Sequence, residues 1–325
     1  MAPDLAPLVE HLKIFQRSSA WVVPTLGYRD RLPDEALWLD ANVPYYTNWS
    51  RFVMGWILGD HKLFSIFDVD PDWPDPLSVN AENQAARQMA LAHLENKLKG
   101  RPDLIAKSIP DYPIFANRPV LDNGWFDALL RDNVELVTDR IERFTPEGIV
   151  TADGRSHPLD LVVMATGFNP NDYFSEIEII GRDGVRIADL WAETGPQAYW
   201  GVMVPHMPNL FILYGPNANP RNPGPVQYGE WALGFILRTI KRIIENDWDA
   251  FEVKESAYHA FNERLVERLQ HIVSVNPRTT HASYYITQPG RSAVQSPWSS
   301  AEVRAAFTNM RDEDFLIEPA GGSLD

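Results

Sequence analysis

Residues 159–174 read LDLVVMATGFNPNDYF, and this stretch is the strongest indication of the fold class in the chain. Leu159 to Met164 are almost wholly apolar, which is typical of a parallel strand that is covered on both faces. The run is followed by Ala-Thr-Gly, and a glycine turn after such a strand is a common way to bring backbone close to a cofactor. The stretch therefore predicts an α/β fold with a ligand site at the carboxyl end of this strand.

A second apolar run ends in the same way. Leu210 to Tyr214 are followed by Gly215 within NLFILYGPNANP, where Asn217 and Asn219 offer amide donors and acceptors. Two such strands predict a ligand edge better than one, because ligands of open α/β sheets collect at the carboxyl ends of the strands. The alternative is a plain turn, in which Gly167 supplies only a positive φ.

Composition excludes several classes of protein. The chain has 325 residues, enough for two domains, and 44 acidic against 29 basic residues give a net charge of −15. This charge argues against a nucleic-acid partner or an anionic membrane surface. The absence of cysteine excludes disulfides, thiolate metal sites and cysteine nucleophiles, and fits a cytoplasmic location. We expect neither a membrane span nor a signal peptide, because no apolar run is long enough and no charged n-region opens the sequence.

The common catalytic fingerprints are absent from the sequence. No two glycines stand two residues apart, so a complete G-x-G-x-x-G dinucleotide fingerprint cannot be read. The P-loop, H-E-x-x-H and G-x-S-x-G motifs are also missing, and none of the eight histidines pairs with another at ligand spacing. The sequence therefore predicts no metal site, and it does not favour a serine hydrolase, a zinc enzyme or a P-loop NTPase.

Two arginines are candidates for binding an anion. Arg17 ends the apolar strand of KIFQRSSAW, and its rigid, permanently charged guanidinium suits a phosphate. The alternative for Arg17 is a surface ion pair. Arg118 precedes Pro119 in FANRPVLD, which places it in an extended segment from which its side chain can project into a cleft.

Periodicity places several further elements. Apolar spacing predicts helices from Asn80 to Gly100, over 227–246 and over 255–273. Region 26–110, rich in aromatic residues and prolines, is interpreted as mostly helical and inserted. Its aromatic residues between 38 and 67 suggest either an apolar ligand or a core. Turns at Glu147-Gly148 and Asp153-Gly154 predict short strands around them.

The order of five segments resembles the C-terminal half to two-thirds of class B flavoprotein monooxygenases, the superfamily of Baeyer–Villiger and flavin-containing monooxygenases. The segments are HLKIFQRSSAWVVP, YPIFANRPVLDNGWFDALLRDNVELV, LDLVVMATGF, MPNLFILYGPNANP and YYITQPGRSAVQSPW, and they look most like the 4-hydroxyacetophenone monooxygenase-like branch. The resemblance implies a partial α/β architecture of two Rossmann-like dinucleotide-binding domains with a mostly helical insertion. It assigns 1–25 and 111–166 to the NADPH-binding domain, 26–110 to the insertion, and 167–325 to the C-terminal part of the FAD-binding domain.

The resemblance also implies an activity. Such enzymes use FAD, NADPH and O₂ to oxidise an apolar ketone, or a heteroatom, through a C4a-peroxyflavin. Both of the family's glycine fingerprints lie upstream of the helix with which this sequence opens. The chain is therefore expected to be inactive alone, or to need self-association or a partner chain that supplies the missing strands. The alternative is a non-catalytic remnant or interaction subunit that binds no cofactor alone.

Site residues follow from the same resemblance. Arg118 matches the active-site arginine that lies beside the flavin and stabilises developing negative charge. Asn117 stands where relatives often have a lysine that binds the 2′-phosphate of NADPH. Relatives are commonly glycine-rich after the GPNANP segment, where this chain has Arg221-Asn222-Pro223. The residues implied to contact the cofactors are Arg17 and Ser18, at the 2′-phosphate, with Asn117, Thr166, Gly167, Gly215, Pro216 and Asn217.

Overall fold

The computed structural model describes residues 1–25, 27, 30–56, 59, 64–221, 224–279, 283–288 and 290–321. These residues divide into two units. Unit 1 consists of Met1–Pro33 and Asp75–Phe168, and unit 2 of Asp34–Pro74 and Asn169–Asp325. Of the loop Arg221-Asn222-Pro223, only Arg221 lies among the described residues.

Helices and strands are numbered in chain order. The helices are α1 Ala2–Leu5, α2 Asp34–Asn42, α3 Tyr46–Trp56, α4 Ala81–Lys97, α5 Pro102–Ser108, α6 Trp125–Leu129, α7 Ile187–Leu190, α8 Pro225–Glu245, α9 Glu255–Leu269 and α10 Ser300–Thr308. The strands are β1 Leu12–Phe15, β2 Val22–Val23, β3 Val120–Leu121, β4 Val134–Val137, β5 Ile141–Thr145, β6 Gly148–Thr151, β7 Ser156–Pro158, β8 Asn219–Pro220, β9 Trp248–Val253, β10 Gln295–Ser296 and β11 Phe315–Pro319.

Unit 1 combines short parallel strand pairs with an antiparallel meander. β1 pairs with β4 and β2 with β3, both in parallel, while β5, β6 and β7 form one antiparallel sheet around the two predicted turns. The predicted helix after Asn80 is confirmed as α4, where Asn80 Oδ1 accepts a hydrogen bond from Asn83 N at 2.7 Å. Leu94 of α4 packs with Phe126 of α6 and Leu136 of β4 in the core of this unit.

Unit 2 is built on an aromatic core under α8, α9 and α10. The two helices predicted over 227–246 and 255–273 are present as α8 and α9. The Trp200 ring lies 4.9 Å from Phe261 and 5.2 Å from Trp298, between ring centroids. β9 pairs antiparallel with β11, and β8 pairs in parallel with β10.

The prediction of a buried strand over Leu159–Met164 is wrong. These residues form no strand, and Leu161 is 79% exposed and Phe168 is 99% exposed. Ala165 N bonds only locally, to Val163 O at 3.0 Å. An apolar run becomes an inner parallel strand only where neighbouring strands pair with its edges, and within the described ranges none pairs with this one.

The prediction of a second strand over Leu210–Tyr214 is also wrong. The chain turns irregularly there: Ile212 is buried and its N donates to Val202 O at 2.8 Å, while Leu213 is exposed. A single backbone bond of this kind replaces the strand ladder that the apolar pattern predicts.

The described part of region 26–110 contains the helices α2 to α5. The two units share it, because Asp34–Pro74 belongs to unit 2 and the residues from Asp75 onward belong to unit 1. The assignment of segments to NADPH or FAD stays a prediction. None of the helices in the described ranges is both long enough and apolar enough to cross a membrane.

Candidate functional site

The first part of the candidate site is the connection from Gln16 to Trp21 in unit 1. It leaves the carboxyl end of β1, where Gln16 N donates to Val137 O at 2.8 Å and prolongs the β1–β4 pairing. Trp21 Nε1 donates to Tyr112 O at 2.9 Å, and the Tyr112 hydroxyl donates to Ser19 O at 3.0 Å. This pair of bonds ties the connection to the segment that carries Arg118.

Arg17, Ser18 and Arg118 are all exposed. Arg118 stands two residues before Val120, whose N donates to Trp21 O at 2.7 Å, so it enters β3 beside the same connection. Neither arginine has an ion pair or a side-chain hydrogen bond with another described residue, so the ion-pair alternative for Arg17 finds no support there. In a chain with a net charge of −15, two guanidinium groups without an acidic partner among the described residues are available to an anion.

The backbone that leads to Arg118 is held in place by α4. Asn83 of α4 donates through Nδ2 to Ile114 O at 2.9 Å, and this bond is buried. Phe115 has a φ of 70°, and Ala116 N closes a turn onto Pro113 O at 3.1 Å. The half-buried Asn117 follows this turn directly. The segment therefore presents Arg118 from a fixed base.

Sequence reasoning missed Trp21, Tyr112 and Asn83, which hold the loops in place. Trp21 and Tyr112 are 91 positions apart, and a bond between residues so distant leaves no trace in local spacing. The available signal was indirect, since a tryptophan or tyrosine that is buried usually needs a partner for its N–H or O–H.

Thr166 and Gly167 lie on open backbone at the end of unit 1. Both residues are exposed, and Gly167 has a φ of +81°. A Cβ added at Gly167 would meet no atom within 4 Å. Only the backbone conformation demands glycine here, and the open space beside it can admit a ligand.

Gly215, Pro216 and Asn217 are buried in unit 2. A Cβ on Gly215 would lie 2.5 Å from Gly201 O, so this glycine is required by the packing of the protein's own backbone. Asn217 Nδ2 donates to Ser292 O at 2.6 Å and to Gln295 O at 2.9 Å. The cavity beside Asn217 measures about 10 Å³, which is room for about one water molecule.

Tyr173 is a further residue at Gly215 that the sequence did not indicate. Its hydroxyl donates to Gly215 O at 3.4 Å. Burial, together with the neighbouring Tyr214, raises the pKa of Tyr173 to about 12. Tyr173 therefore stays protonated at neutral pH and acts as a hydrogen-bond donor.

The exposed residues of unit 1 and the buried loop at Asn217 in unit 2 have different chemical capacities. The exposed Arg17 and Arg118 fit the phosphates of a nucleotide, and the open backbone at Thr166–Gly167 admits close approach of a cofactor. The amide hydrogens of Asn217 are already bonded within the protein, so its role there is to hold the loop around Ser292. No group of three or more possible metal ligands occurs among the residues that the structure describes.

Comparison with known proteins finds monooxygenases over nearly the whole chain. The chain is 33% identical over 300 residues to an uncharacterized monooxygenase, y4iD, of Sinorhizobium fredii, covering 92% of this chain and 45% of that protein. It is 28% identical over 274 residues to a Baeyer–Villiger monooxygenase of Pseudomonas aeruginosa, covering 83% of this chain and 49% of that protein. The chain thus spans about half the length of these curated relatives. No model of a protein family matches it.

Solved structures of monooxygenases also match the fold of this chain. The closed crystal structure of cyclohexanone monooxygenase matches with a TM-score of 0.78 and 26% identity, over 98% of this chain and 64% of that one. A structure of OTEMO in complex with FAD and NADP matches with a TM-score of 0.73 and 22% identity, over 97% and 63%, and at this identity the likeness concerns the fold alone. The predicted α/β fold class with Rossmann-like domains is confirmed.

Proposed function

The chain belongs to the class B flavoprotein monooxygenases, and on that premise we propose that it supplies the 2′-phosphate site and the catalytic arginine of an FAD- and NADPH-dependent Baeyer–Villiger monooxygenase. The proposed reaction inserts one oxygen atom of O₂ into an apolar ketone. A ketone is preferred to a heteroatom because one relative is named a Baeyer–Villiger monooxygenase and one similar solved structure is a cyclohexanone monooxygenase.

One observation carries this proposal. Arg17 and Arg118 are exposed and have no acidic partner among the described residues, although the chain is strongly acidic. The segments that carry them are joined by the bonds between Trp21, Tyr112 and Ser19. A fold that holds two such cations on linked segments, at the end of a parallel strand pair, is suited to a nucleotide with several phosphates.

When bound, NADPH supplies the hydride and FAD supplies the chemistry that activates O₂. Arg17 and Ser18 would hold the 2′-phosphate, Arg17 by its charge and Ser18 by its hydroxyl. Arg118 would stabilise negative charge that develops on oxygen, and its guanidinium keeps this charge at every working pH. Asn117, at the position where relatives often have lysine, would contribute an uncharged amide beside it.

Two segments of the chain would contact the flavin. Thr166 and Gly167 would offer exposed backbone, and Gly215 and Pro216 would border the ring. Asn217 would act indirectly, because its amide holds the loop at Ser292 and Gln295 through bonds of 2.6 and 2.9 Å. The proposed location is the cytoplasm, which the absence of cysteine fits.

The exposed run Leu161–Phe168 supports a further part of the proposal. Its side chains are apolar on both faces, which is the pattern of an inner parallel strand. We propose that strands from outside these 325 residues cover it and complete the flavin site.

The test uses the purified chain with FAD and NADPH. Absorbance after gel filtration reports bound flavin, NADPH oxidation with cyclohexanone reports turnover, and mass spectrometry reports the lactone. Arg118→Met is expected to lower kcat by about 100-fold or more, the usual effect of losing one charge-stabilising donor. Arg140→Met, an exposed arginine of the same unit, serves as the matched control. Turnover that is measurable and equal in both variants would exclude the role of Arg118.

The second candidate is an interaction subunit or remnant that binds no cofactor. The exposure of Leu161 and Phe168 favours it, since such a surface associates readily with other polypeptides. It predicts that the purified chain retains no flavin at any FAD concentration and forms a complex through this run. Stoichiometric flavin after gel filtration would rule it out.

A further inference from the structure

A short strip of unit 2, from Phe64 to Val69, is bound to the residues that follow α9. Val69 N donates to His271 O at 2.8 Å, and Val273 N donates to Phe67 O at 2.8 Å. Between these bonds Asp68 and Ile272 form an antiparallel bridge. The strip is thus bonded through its backbone to a well-packed part of unit 2, where Ile272 and Val273 are buried.

The side chain of Arg221 binds the same strip. This side chain is only 5% exposed; Nη1 donates to Asp68 Oδ1 at 2.6 Å and Nη2 to Pro297 O at 2.7 Å. Cζ of the guanidinium lies 3.6 Å from the centre of the Phe64 ring. Arg221 follows β8 directly and Pro297 follows β10, so this arginine joins the end of the β8–β10 pair to the strip.

A second arginine holds the exit of the strip. Arg278 donates through Nη1 to Pro71 O at 2.9 Å and through Nη2 to Trp73 O at 3.1 Å. By contrast, the contact between Arg51 of α3 and Glu230 of α8 joins two exposed side chains, and pairs of this kind contribute little. Arg221 and Arg278 therefore both bind residues 64–73, the stem of the excursion Asp34–Pro74, to later parts of unit 2.

The excursion itself carries features of a ligand-contacting surface. Trp38, Tyr45 and Trp49 are exposed on or between α2 and α3. The turn between these helices forms an open cleft of about 320 Å³, lined by residues 40–48.

We infer that Arg221 is a positioning residue for substrate specificity: it locks the stem of the aromatic excursion onto the loop that follows Gly215–Asn217, and thereby sets where the aromatic surface meets an apolar ketone. The inference rests on the proposed function, because that function puts Gly215–Asn217 beside the flavin. Arg221 does not itself touch the reacting atoms. It acts through the strip Phe64–Val69.

The charge and the planar shape of the Arg221 guanidinium both explain why another residue type could not replace it. Burial lowers the pKa of Arg221 from its usual value, and the Asp68 carboxylate opposes this effect. Asp68 is 49% exposed, so the buried cation is compensated by a carboxylate at the surface. A lysine would keep a charge but could not stack on Phe64 while bonding two acceptors in one plane.

The first test needs no activity. In Arg221→Met, which preserves side-chain length, we expect the amides of Val69 and Val273 to exchange hydrogen at least 10-fold faster than in the unchanged chain. Asp68→Asn, altered at a half-exposed position, should give the same shift to a smaller extent and guards against a variant that fails to fold. Arg186→Met removes the exposed pair with Glu178, 3.4 Å apart, and is expected to change neither amide.

The second test uses the FAD-loaded protein. Arg221→Met and Asp68→Asn should alter the ratio of kcat/KM for a bulky ketone to that for cyclohexanone by about 10-fold, while the rate of NADPH oxidation without ketone stays unchanged. Faster amide exchange with an unchanged ratio would overturn the specificity role. Unchanged exchange in both variants would overturn the inference entirely. If the unchanged chain shows no NADPH oxidation even when the strands that complete its flavin site are supplied, the proposed function fails, and the exchange result still decides whether Arg221 locks the strip.

Discussion

A methyl group added at Gly215 would collide with the protein's own backbone, whereas one added at Gly167 would project into open space. The two glycines follow similar apolar runs, yet the first is fixed by a contact with Gly201 O and the second only by its positive φ. A glycine that ends an apolar run therefore indicates a cofactor turn only when nothing inside the protein already occupies the space beside it. Gly167 meets that condition, whereas at position 215 the contact with Gly201 O is a sufficient reason for glycine, with or without a cofactor beside the loop.

Gly215→Ala tests this contact. The added Cβ would lie 2.5 Å from Gly201 O and 2.7 Å from Ile212 Cγ2, and we expect overpacking to lower the free energy of unfolding by about 1–3 kcal/mol. Gly229→Ala is the control: it lies in α8 with nothing within 4 Å of the added Cβ, and it should stabilise by up to about 1 kcal/mol. Urea unfolding of both variants is the measurement, and equal shifts would refute the close contact at Gly215.

The proposed contact between Arg17 and the 2′-phosphate predicts which nicotinamide cofactor the protein prefers. Arg17→Ala should raise KM for NADPH by about 10-fold or more, because loss of a hydrogen bond to a charged group costs about 1.5–3 kcal/mol. KM for NADH, which has no 2′-phosphate, should stay unchanged and is the internal control. Steady-state kinetics with both nucleotides decides the matter, and an equal rise for NADPH and NADH would argue against a 2′-phosphate contact.

At the scale of elements, local patterns predicted what local interactions determine. α4 with its Asn80 cap, α8, α9 and the strands around the turns at 147–148 and 153–154 are present because caps, apolar stripes and turn residues suffice to specify them. The runs at Leu159–Met164 and Leu210–Tyr214 are not strands, because a strand is specified by partners that its own residues do not encode. Of the site, sequence indicated the exposed arginines, while the bond from Trp21 to Tyr112 required the folded chain.

α10 carries a pH-dependent part of the stability. It begins with a capping box, in which Ser299 Oγ accepts from Glu302 N and Glu302 Oε2 accepts from Ser299 N at 2.8 Å, and Glu302 also pairs with Arg268. Burial raises the pKa of Glu302, but the bonds from Arg268 and Ser299 outweigh burial and hold it below its usual 4.5. A pKa lower in the folded than in the unfolded state gives stability that is full above about pH 4.5 and is lost as pH falls through the folded-state value.

Glu302→Gln should therefore flatten the fall in unfolding free energy below about pH 4.5, and it should also cost stability at neutral pH. Glu267→Gln, at an exposed position of α9, is the matched control and should leave the acid limb as it is. The measurement is urea unfolding repeated at several pH values. An acid limb of unchanged slope in Glu302→Gln would show that Glu302 titrates alike in both states.

At the scale of the whole molecule, the match to cyclohexanone monooxygenase covers 98% of this chain but 64% of that enzyme. Several strand pairs here have only two members, among them β1–β4, β2–β3 and β8–β10. Parallel sheets are normally larger and buried on both faces, so isolated parallel pairs, like an exposed apolar run, describe sheets that further strands would complete. The same reasoning supports placing the proposed docking surface at Leu161–Phe168.

Such a surface should make the purified chain associate. Fully burying a side chain such as Leu161 or Val163 stabilises by about 1.5–3 kcal/mol, and both are exposed. Leu161→Glu combined with Val163→Glu is expected to abolish self-association in sedimentation velocity and to leave the free energy of unfolding within about 0.5 kcal/mol, as for exposed positions generally. The control pair, Leu237→Glu with Ile244→Glu, removes two exposed apolar residues of α8 and should leave association intact. A loss of several kcal/mol in the first pair would mean that the run is buried in the chain by itself, and equal effects of both pairs would mean that association follows general hydrophobicity and not this strand.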